Sequence, residues 1–179
     1  MTATTTSAFH HVIRPAGDAD LAAVAEIYNE GIRGRMATFE TIERTAADIA
    51  TWLGDPRHPF LVAERTMDAG APDVVGWVRA SDYRPRACYA GVGEFSIYVA
   101  SRARGQRVGD ALMRAFLPAC ADAGLWKVLS RIFPENTTSR ALCARHGFRE
   151  VGTYENHAQL DGVWRDVVIV ERLLARQAG

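Results

Sequence analysis

The sequence predicts one domain of the α/β (α+β) class, with helices first and a sheet after them. Three observations support this prediction. Residues 18–33 place apolar side chains three and four positions apart, as an amphipathic helix does, and residues 94–99 alternate apolar and polar side chains, as a half-buried strand does. From residue 94 to residue 132 the order is strand, loop, helix and strand. We expect residues 1–10 to form a flexible tail and residues 11–176 to form the domain.

The composition excludes several classes of protein. The 179 residues are 48% hydrophobic and 23% charged, which supplies a core and argues against disorder. Because 21 Lys and Arg balance 21 Asp and Glu, charge gives no argument for a nucleic-acid or membrane partner. No segment approaches the ~20 apolar residues of a membrane span. The three scattered cysteines form neither a disulfide framework nor a metal-ligating pattern. We therefore expect a cytoplasmic protein that holds no metal.

Two helices are predicted before the sheet. Asp18 is a candidate N-cap for the first helix. The apolar stripe of that helix consists of Leu21, Val24, Ala25, Tyr28 and Ile32. Thr45, with Asp48 three residues later, resembles a capping box for a second helix, which we expect to end at Asp55 before a proline. The apolar residues of the second helix are Ile49, Trp52 and Leu53.

The sheet and two further helices follow. Strands are predicted at residues 60–63, 74–79, 94–99, 127–132 and 164–170. A helix after residue 107 has one apolar face, formed by Val108, Ala111, Leu112, Ala115, Phe116 and Ala119. Pro118 lies inside that helix and should bend it or remove one backbone hydrogen bond. Ser139 begins a short last helix that Gly147 can terminate.

A basic loop over residues 102–109 joins the strand at 94–99 to the next helix. Successive N–H groups at a helix start form an anion site, and Arg102, Arg104 and Arg107 add three cations. The loop matches neither the Walker A nor the Rossmann pattern. It therefore indicates either a site for a pyrophosphate-bearing cofactor or a solvated basic turn.

Two segments resemble the GNAT N-acetyltransferase superfamily. Residues 104–109, Arg-Gly-Gln-Arg-Val-Gly, are similar to its pyrophosphate loop, Gln/Arg-x-x-Gly-x-Gly/Ala, with Arg107 in place of the middle glycine. Residues 136–148 resemble the later Asn-x-x-Ala/Ser-x-x-Leu segment that ends in Gly-Phe. Because Arg107 has a Cβ, which disfavours positive φ, we expect a slightly altered loop or weaker CoA binding.

The resemblance implies a GNAT fold whose mixed, mostly antiparallel sheet splays between the strands at 94–99 and 127–132. Acetyl-CoA, the co-substrate, would lie in that opening. The cofactor-binding residues it implies are Ile97, Tyr98, Val99, Arg102, Arg104, Gly105, Gln106, Arg107, Val108, Gly109, Asp110, Asn136 and Ser139.

Further segments resemble one branch, the phosphinothricin, methionine sulfoximine and arsinothricin N-acetyltransferases. These segments are Asn29 with 38–40, 82–85, 92–99 and 162–167. Over residues 77–94 the likeness is closest to arsinothricin resistance enzymes. Such enzymes acetylate the α-amine of small anionic amino acids, which confers resistance to these toxic compounds. The resemblance also implies a homodimer.

Acetyl transfer needs a neutral amine, so a base must remove a proton. The resemblance assigns this role to Glu94; the alternative is an edge-strand charge or a salt-bridge partner. Cys143 stands where relatives often have tyrosine or histidine, and it either donates a proton to the CoA thiolate or simply packs. Tyr98 and His146 are weaker candidates for the acid. A backbone N–H within residues 97–99 would stabilise the oxyanion.

Substrate recognition is predicted at Arg84 and Arg86, which flank Pro85 and can bind a carboxylate or a tetrahedral oxyanion. The alternative is a solvated loop. The candidate pocket walls are Tyr83, Phe39, Tyr28 and Trp164. His157, before the last strand, has no assigned role.

The sequence thus predicts direct transfer of acetyl from acetyl-CoA to a small anionic amino acid in a ternary complex. One alternative is an acetyltransferase for another amine, such as a peptide N-terminus or a polyamine. Arg84 and Arg86 argue against a polycation. The other alternative is a CoA-binding regulator without catalysis, against which Glu94 argues.

Overall fold

The computed structural model describes residues 11–66 and 72–174. Seven strands form one sheet: β1 (His11–Pro15), β2 (Phe60–Arg65), β3 (Asp73–Asp82), β4 (Val92–Val99), β5 (Lys127–Ile132), β6 (Arg149–Leu160) and β7 (Val163–Leu173). Their order is β1-β2-β3-β4-β5-β7-β6. Within these residues β4 and β5 are parallel and the other neighbours are antiparallel. The predicted mixed sheet is confirmed, and the predicted tail at 1–10 lies outside the described residues.

Helices cover both faces of the sheet. They are α1 (Leu21–Arg33), α2 (Ala46–Ala50), α3 (Val108–Asp122) and α4 (Thr137–Arg145). On one face α1 and α2 pack on β2 and β3 around Trp77, which is buried. On the other face α3 and α4 pack on the sheet around Phe95 and Phe116. The alternation predicted for β4 is confirmed, because Phe95 faces α3 while Tyr98 faces α1.

The first helix begins later than predicted. Asp18 lies in a single 3-10 turn, and α1 starts at Leu21. The acidic residue that stabilises this start is Asp20, which accepts a hydrogen bond of 2.9 Å from the Gly17 N–H. Arg14 on β1 donates to both oxygens of Asp20, at 2.7 and 2.8 Å. Hydrogen bonds from Arg14 therefore hold the pKa of Asp20 below its usual range, against the opposing effect of burial.

Several other boundaries differ from the prediction. The Thr45 capping box is confirmed, but α2 ends at Ala50, so Trp52 lies in the following turn rather than in the helix. The last helix is capped by Asn136, whose Oδ1 accepts from the Ser139 N–H at 3.1 Å, instead of beginning at Ser139. Gly147, at φ +74°, follows its end as predicted. α3 continues through Pro118 to Asp122.

Two strands were not predicted, and both lie at an edge of the sheet. β1 and the twelve-residue β6 each pair with one neighbour only. All but two residues of β6, Ala158 and Leu160, are exposed, so its sequence lacks the apolar alternation that marks a half-buried strand.

Pairing between β4 and β5 covers only three residues of each strand, from Val92 opposite Lys127 to Glu94 opposite Leu129. Beyond this point a side chain replaces the ladder, because Ser130 Oγ donates to the Phe95 carbonyl at 2.9 Å. β4 nevertheless stays paired with β3 as far as Val99. The predicted splay between these two strands is therefore confirmed, and it opens the cleft described next.

Candidate active site

The splay of β4 from β5 opens a cleft of about 710 Å³. Its walls come from the end of α1, the end of β4, the loop into α3 and the start of α4. Predicted cofactor residues in its lining are Ile97, Tyr98, Val99, Arg104, Gly105, Arg107, Val108, Gly109, Asp110, Asn136 and Ser139. Sequence reasoning missed Thr137 and Thr138 at the start of α4 and Arg145 at its end, which also line the cleft.

The basic loop reaches α3 through two residues with positive φ. Gly105 has φ +77°, and Arg107, the N-cap of α3, has φ +60° and ψ 18°. An arginine therefore adopts the left-handed conformation that glycine adopts without penalty. Gly109, two residues after Arg107, packs against Leu142. A Cβ at Gly109 would lie 3.1 Å from Leu142 Cδ2. The departure at Arg107 thus places a non-glycine residue in a strained backbone conformation at the start of α3.

Two predicted cofactor residues do not line the cleft. Arg102 donates to Asp73 Oδ1 at 2.7 Å and to the Val74 carbonyl at 3.0 Å, so its charge is already paired. Gln106 donates from Nε2 to the Arg102 carbonyl at 3.1 Å. The arginines that line the cleft are Arg104, Arg107 and Arg145, of which Arg145 also contacts Asp110 Oδ1 at 3.3 Å. Backbone N–H groups at a helix start together with arginines fit a pyrophosphate-bearing molecule.

Asp110 and Asn136 connect the walls of the cleft. Asp110 lies 3.0 Å from His146 Nε2 and 3.3 Å from Arg145 Nε. Although burial acts in the opposite sense, these two groups lower the pKa of Asp110. Asn136 donates from Nδ2 to the Met36 carbonyl at 3.2 Å. These contacts hold α4 against α3 and against the chain after α1.

Glu94 is held by an arginine that the sequence analysis missed. Arg131 on β5 donates from Nε to Glu94 Oε1 at 2.8 Å and from Nη2 to Glu94 Oε2. The hydrogen bond to Glu94 raises the pKa of Arg131, against a smaller effect of burial. The Glu94 side chain remains 21% exposed. An arginine in a short strand carries no motif, so only the register of β4 and β5 identifies this pair.

The sheet face that carries Glu94 changes from apolar to polar along β3 and β4. Successive cross-strand pairs on this face are Trp77 with Tyr98, Arg79 with Ser96, and Ser81 with Glu94. We call the last four residues, Arg79, Ser96, Ser81 and Glu94, the polar strip. Ser96 is exposed although β4 is an inner strand, so the helices leave this part of the face open.

Tyr98 begins the apolar part of that face. Its ring stacks on Trp77 with centroids 4.8 Å apart, and its hydroxyl donates to the Ala37 carbonyl at 3.0 Å. Burial raises its pKa. A Cβ at Gly31 would lie 2.6 Å from the ring, so only glycine fits opposite this tyrosine.

Cys143 and His146, the other two candidates for the general acid, have different surroundings. Cys143 lies on the buried side of α4, in the core, and is not part of the cleft lining. Burial raises the pKa of its thiol to about 12. His146 is directed at Asp110.

The predicted substrate residues lie on different parts of the surface. Arg84 and Arg86 are exposed in the loop after β3, and the Arg84 guanidinium lies 5.2 Å from the Tyr83 ring. Phe39 packs edge-on against Phe133 at 4.8 Å. Tyr28 packs against the Tyr98 ring at 5.0 Å, close to the polar strip. Trp164 and His157 are exposed on β7 and β6.

Residues 22–148 match the family model described as acetyltransferase (GNAT) family. The chain belongs to this family. A phosphinothricin N-acetyltransferase from Streptomyces coelicolor is 33% identical over 164 residues, which cover 90% of this chain and 95% of the relative. An L-methionine sulfoximine/L-methionine sulfone acetyltransferase from Pseudomonas paraeruginosa is 31% identical, covering 89% and 92%. The chain is an N-acetyltransferase.

Solved structures share the fold. A GNAT superfamily phosphinothricin acetyltransferase from Sinorhizobium meliloti, in complex with AcCoA, aligns with a TM-score of 0.82 and 29% identity, covering 92% of this chain and 88% of that one. In the described residues no helix has the length and apolar character to cross a membrane. The same residues contain no group of three or more side chains suited to hold a metal ion.

Proposed function

We propose that this N-acetyltransferase transfers the acetyl group of acetyl-CoA to the α-amine of a small anionic amino acid of the phosphinothricin, methionine sulfoximine or arsinothricin type. The observation that carries the proposal is the polar strip. It places an arginine-held carboxylate, Glu94, on an open sheet face directly beside the splay. The two curated relatives named above act on acceptors of this kind according to their names.

The donor side of the reaction follows from the cleft. Acetyl-CoA supplies the acetyl group as a thioester. Arg104, Arg107 and Arg145 would bind its pyrophosphate with the N–H groups at the start of α3. The backbone of residues 97–99, which has left the β5 ladder, would hold the acyl arm and provide an N–H donor to the carbonyl oxygen.

Glu94 is the proposed base. An amino-acid α-amine is mostly protonated at pH 7, and the Glu94 carboxylate, which accepts a hydrogen bond from Arg131, can take up its proton directly or through water. The pair with Arg131 fixes the direction of the carboxylate. Glu94 therefore forms a salt bridge with Arg131 and is at the same time the proposed base.

Arg84 and Arg86 are the proposed readers of the anionic side chain of the acceptor. Both guanidiniums are exposed on the loop after β3, at the end of the polar strip that carries Glu94. Cys143 has no proposed part in the chemistry, because its thiol is buried away from the cleft. We propose that the departing thiolate takes its proton from solvent.

A homodimer is also proposed, and the β6–β7 hairpin is its candidate interface. The two strands expose large apolar side chains that a monomer would leave in water. These are Val151, Tyr154, Val163 and Trp164.

A thiol-release assay tests the function. Purified protein would be mixed with acetyl-CoA and a panel of amines: phosphinothricin, methionine sulfoximine, arsinothricin, an alanine-terminated peptide and spermidine. The proposal predicts rapid CoA release with one or more of the three amino acids. Release only with the peptide or the polyamine would identify another acceptor class. Binding of acetyl-CoA without release by any amine would indicate a regulator.

A further inference from the structure

Arg79 is a partly buried cation for which the described residues provide no hydrogen bond and no ion pair. Its Nε is inaccessible to solvent and has no hydrogen-bond partner. Its guanidinium carbon lies 4.5 Å from the centroid of the Trp52 ring. Burial lowers the pKa of Arg79, although the nearby Tyr28 acts in the opposite direction. Arginine nevertheless stays charged at every pH at which proteins fold.

A partly buried cation without a hydrogen-bonding partner loses hydration that nothing replaces, so such a residue calls for an explanation. Arg14, on the neighbouring part of the sheet, shows the usual arrangement, since it contacts Asp20 and Glu64 at 2.7 Å each. Among the residues that the structure describes, no acidic side chain pairs with Arg79 in this way. Contact with Trp52 compensates only part of the lost hydration, because a ring provides no hydrogen-bond acceptors in the guanidinium plane.

The position of Arg79 on the sheet indicates what would pair with it. Arg79 lies opposite Ser96, and Glu94 lies two residues before Ser96 on the same face of β4. Diagonal neighbours of this kind are roughly 7–8 Å apart at Cα. An α-amino acid carries its amine and its carboxylate on one carbon. It can therefore contact Glu94 with the amine and Arg79 with the carboxylate across the exposed Ser96.

We propose that Arg79 binds the α-carboxylate of the acceptor and thereby selects amino acids over simple amines. This inference rests on the proposed function. Trp52 would hold one face of the guanidinium, leaving its edge for a two-pronged contact with the carboxylate. Arg84 and Arg86 would then remain for the anionic side chain. The role is one of recognition: no bond to Arg79 forms or breaks.

The test compares two acceptors that differ only in the carboxylate, phosphinothricin and its decarboxylated analogue 3-aminopropyl(methyl)phosphinate. kcat/KM is measured for both with the wild type, Arg79→Met, Arg79→Lys and the control Arg114→Met. Arg114 is exposed on α3. We expect Arg79→Met to reduce the preference for phosphinothricin by roughly ten- to a hundred-fold, with KM for acetyl-CoA unchanged. Arg79→Lys should recover part of the preference, and Arg114→Met should keep all of it.

Thermal unfolding without substrate distinguishes recognition from packing. Because Arg79→Met removes an unpaired charge and keeps contact with Trp52, we expect its Tm to equal or exceed that of the wild type. A lower Tm together with an equal loss of kcat/KM for both acceptors would make Arg79 a structural residue and overturn the inference. An unchanged preference in Arg79→Met would overturn it as well. If the wild type acetylates no amino acid at all, the proposed function fails and this inference fails with it.

Discussion

Glu94 is the residue at which the proposed chemistry can be tested most directly. Glu94→Gln keeps an oxygen for Arg131 but cannot accept a proton, so we expect kcat at pH 7 to fall by ~10²–10⁴. The loss should be smaller at high pH, where unprotonated amine is abundant. Steady-state kinetics from pH 6 to 10 measures both effects.

The matched control for this substitution is Glu150→Gln. Glu150 also accepts from an arginine, Arg140 Nε at 2.8 Å, but it lies on β6. Its replacement should leave kcat unchanged. Turnover like that of the wild type in Glu94→Gln at pH 7 would remove the base assignment.

The three cysteines provide a test of the environment of Cys143. Burial raises the pKa of Cys143 and of Cys120 to about 12 each, whereas Cys88 is exposed. A raised pKa leaves a thiol neutral and unreactive until the pH approaches that value. At pH 8 we therefore expect iodoacetamide to modify Cys88 in the native protein and the other two only after unfolding, as peptide mass spectrometry would show. Modification of Cys143 as fast as Cys88 would mean that its thiol is open to solvent.

At the scale of the elements, the loop into α3 contains a strained backbone conformation at Arg107. A non-glycine residue in the left-handed region costs about 1 kcal/mol, so Arg107→Gly should raise the free energy of unfolding by up to about that amount. The opposite change, used as the matched comparison, is Gly105→Ala. Gly105 also has a positive φ, and no heavy atom lies within 4 Å of a Cβ added there. It should destabilise by a similar amount.

Denaturant unfolding measures the stability of both loop variants, and kinetics measures their function. Because residues 105 and 107 line the cleft, only KM for acetyl-CoA should change, while KM for the amine stays constant. A loss of stability in Arg107→Gly would show that the side chain stabilises the loop by more than its backbone strain costs.

Elements with a strong local pattern were predictable from the sequence. β5 has the predicted bounds, and the capping box at Thr45 starts α2 as expected. β6 was missed because an exposed edge strand needs no apolar alternation, and β1 because its five residues are too few to show one. The start of α1 was misplaced because Asp18 and Asp20 are both residues that commonly precede a helix, and the contact of Asp20 with Arg14 is a tertiary one that the local sequence does not reveal.

The candidate site also has residues that the sequence could predict and residues that it could not. The basic loop and the α4 segment are contiguous motifs, so their residues could be named in advance. The exceptions are Arg102, which is paired with Asp73 of β3, and Gln106, which donates to the Arg102 carbonyl. Arg131 and Arg79 could not be named. Their significance comes from the register of strands that are distant in sequence.

At the scale of the whole molecule, the exposed apolar side chains of the β6–β7 hairpin predict self-association. Trp164 is 56% exposed on β7, and we expect Trp164→Lys to shift a dimeric wild type towards the monomer in light-scattering chromatography. Val12→Lys is the control, because Val12 is 51% exposed on β1 at the opposite edge of the sheet. A monomeric wild type, or a control that dissociates equally, would contradict the proposed interface.

The short ladder between β4 and β5 has a consequence for solubility. Past Glu94, β4 is paired on the β3 side only, so an inner strand acquires an edge. Open edges invite pairing with strands of other molecules and lead to aggregation. Here the end of α1 and the start of α4 wall the edge on both sides, and arginines line the approach. The residues that line the cleft therefore also cover the open edge of β4, and we expect them to hinder its pairing with a strand of another molecule.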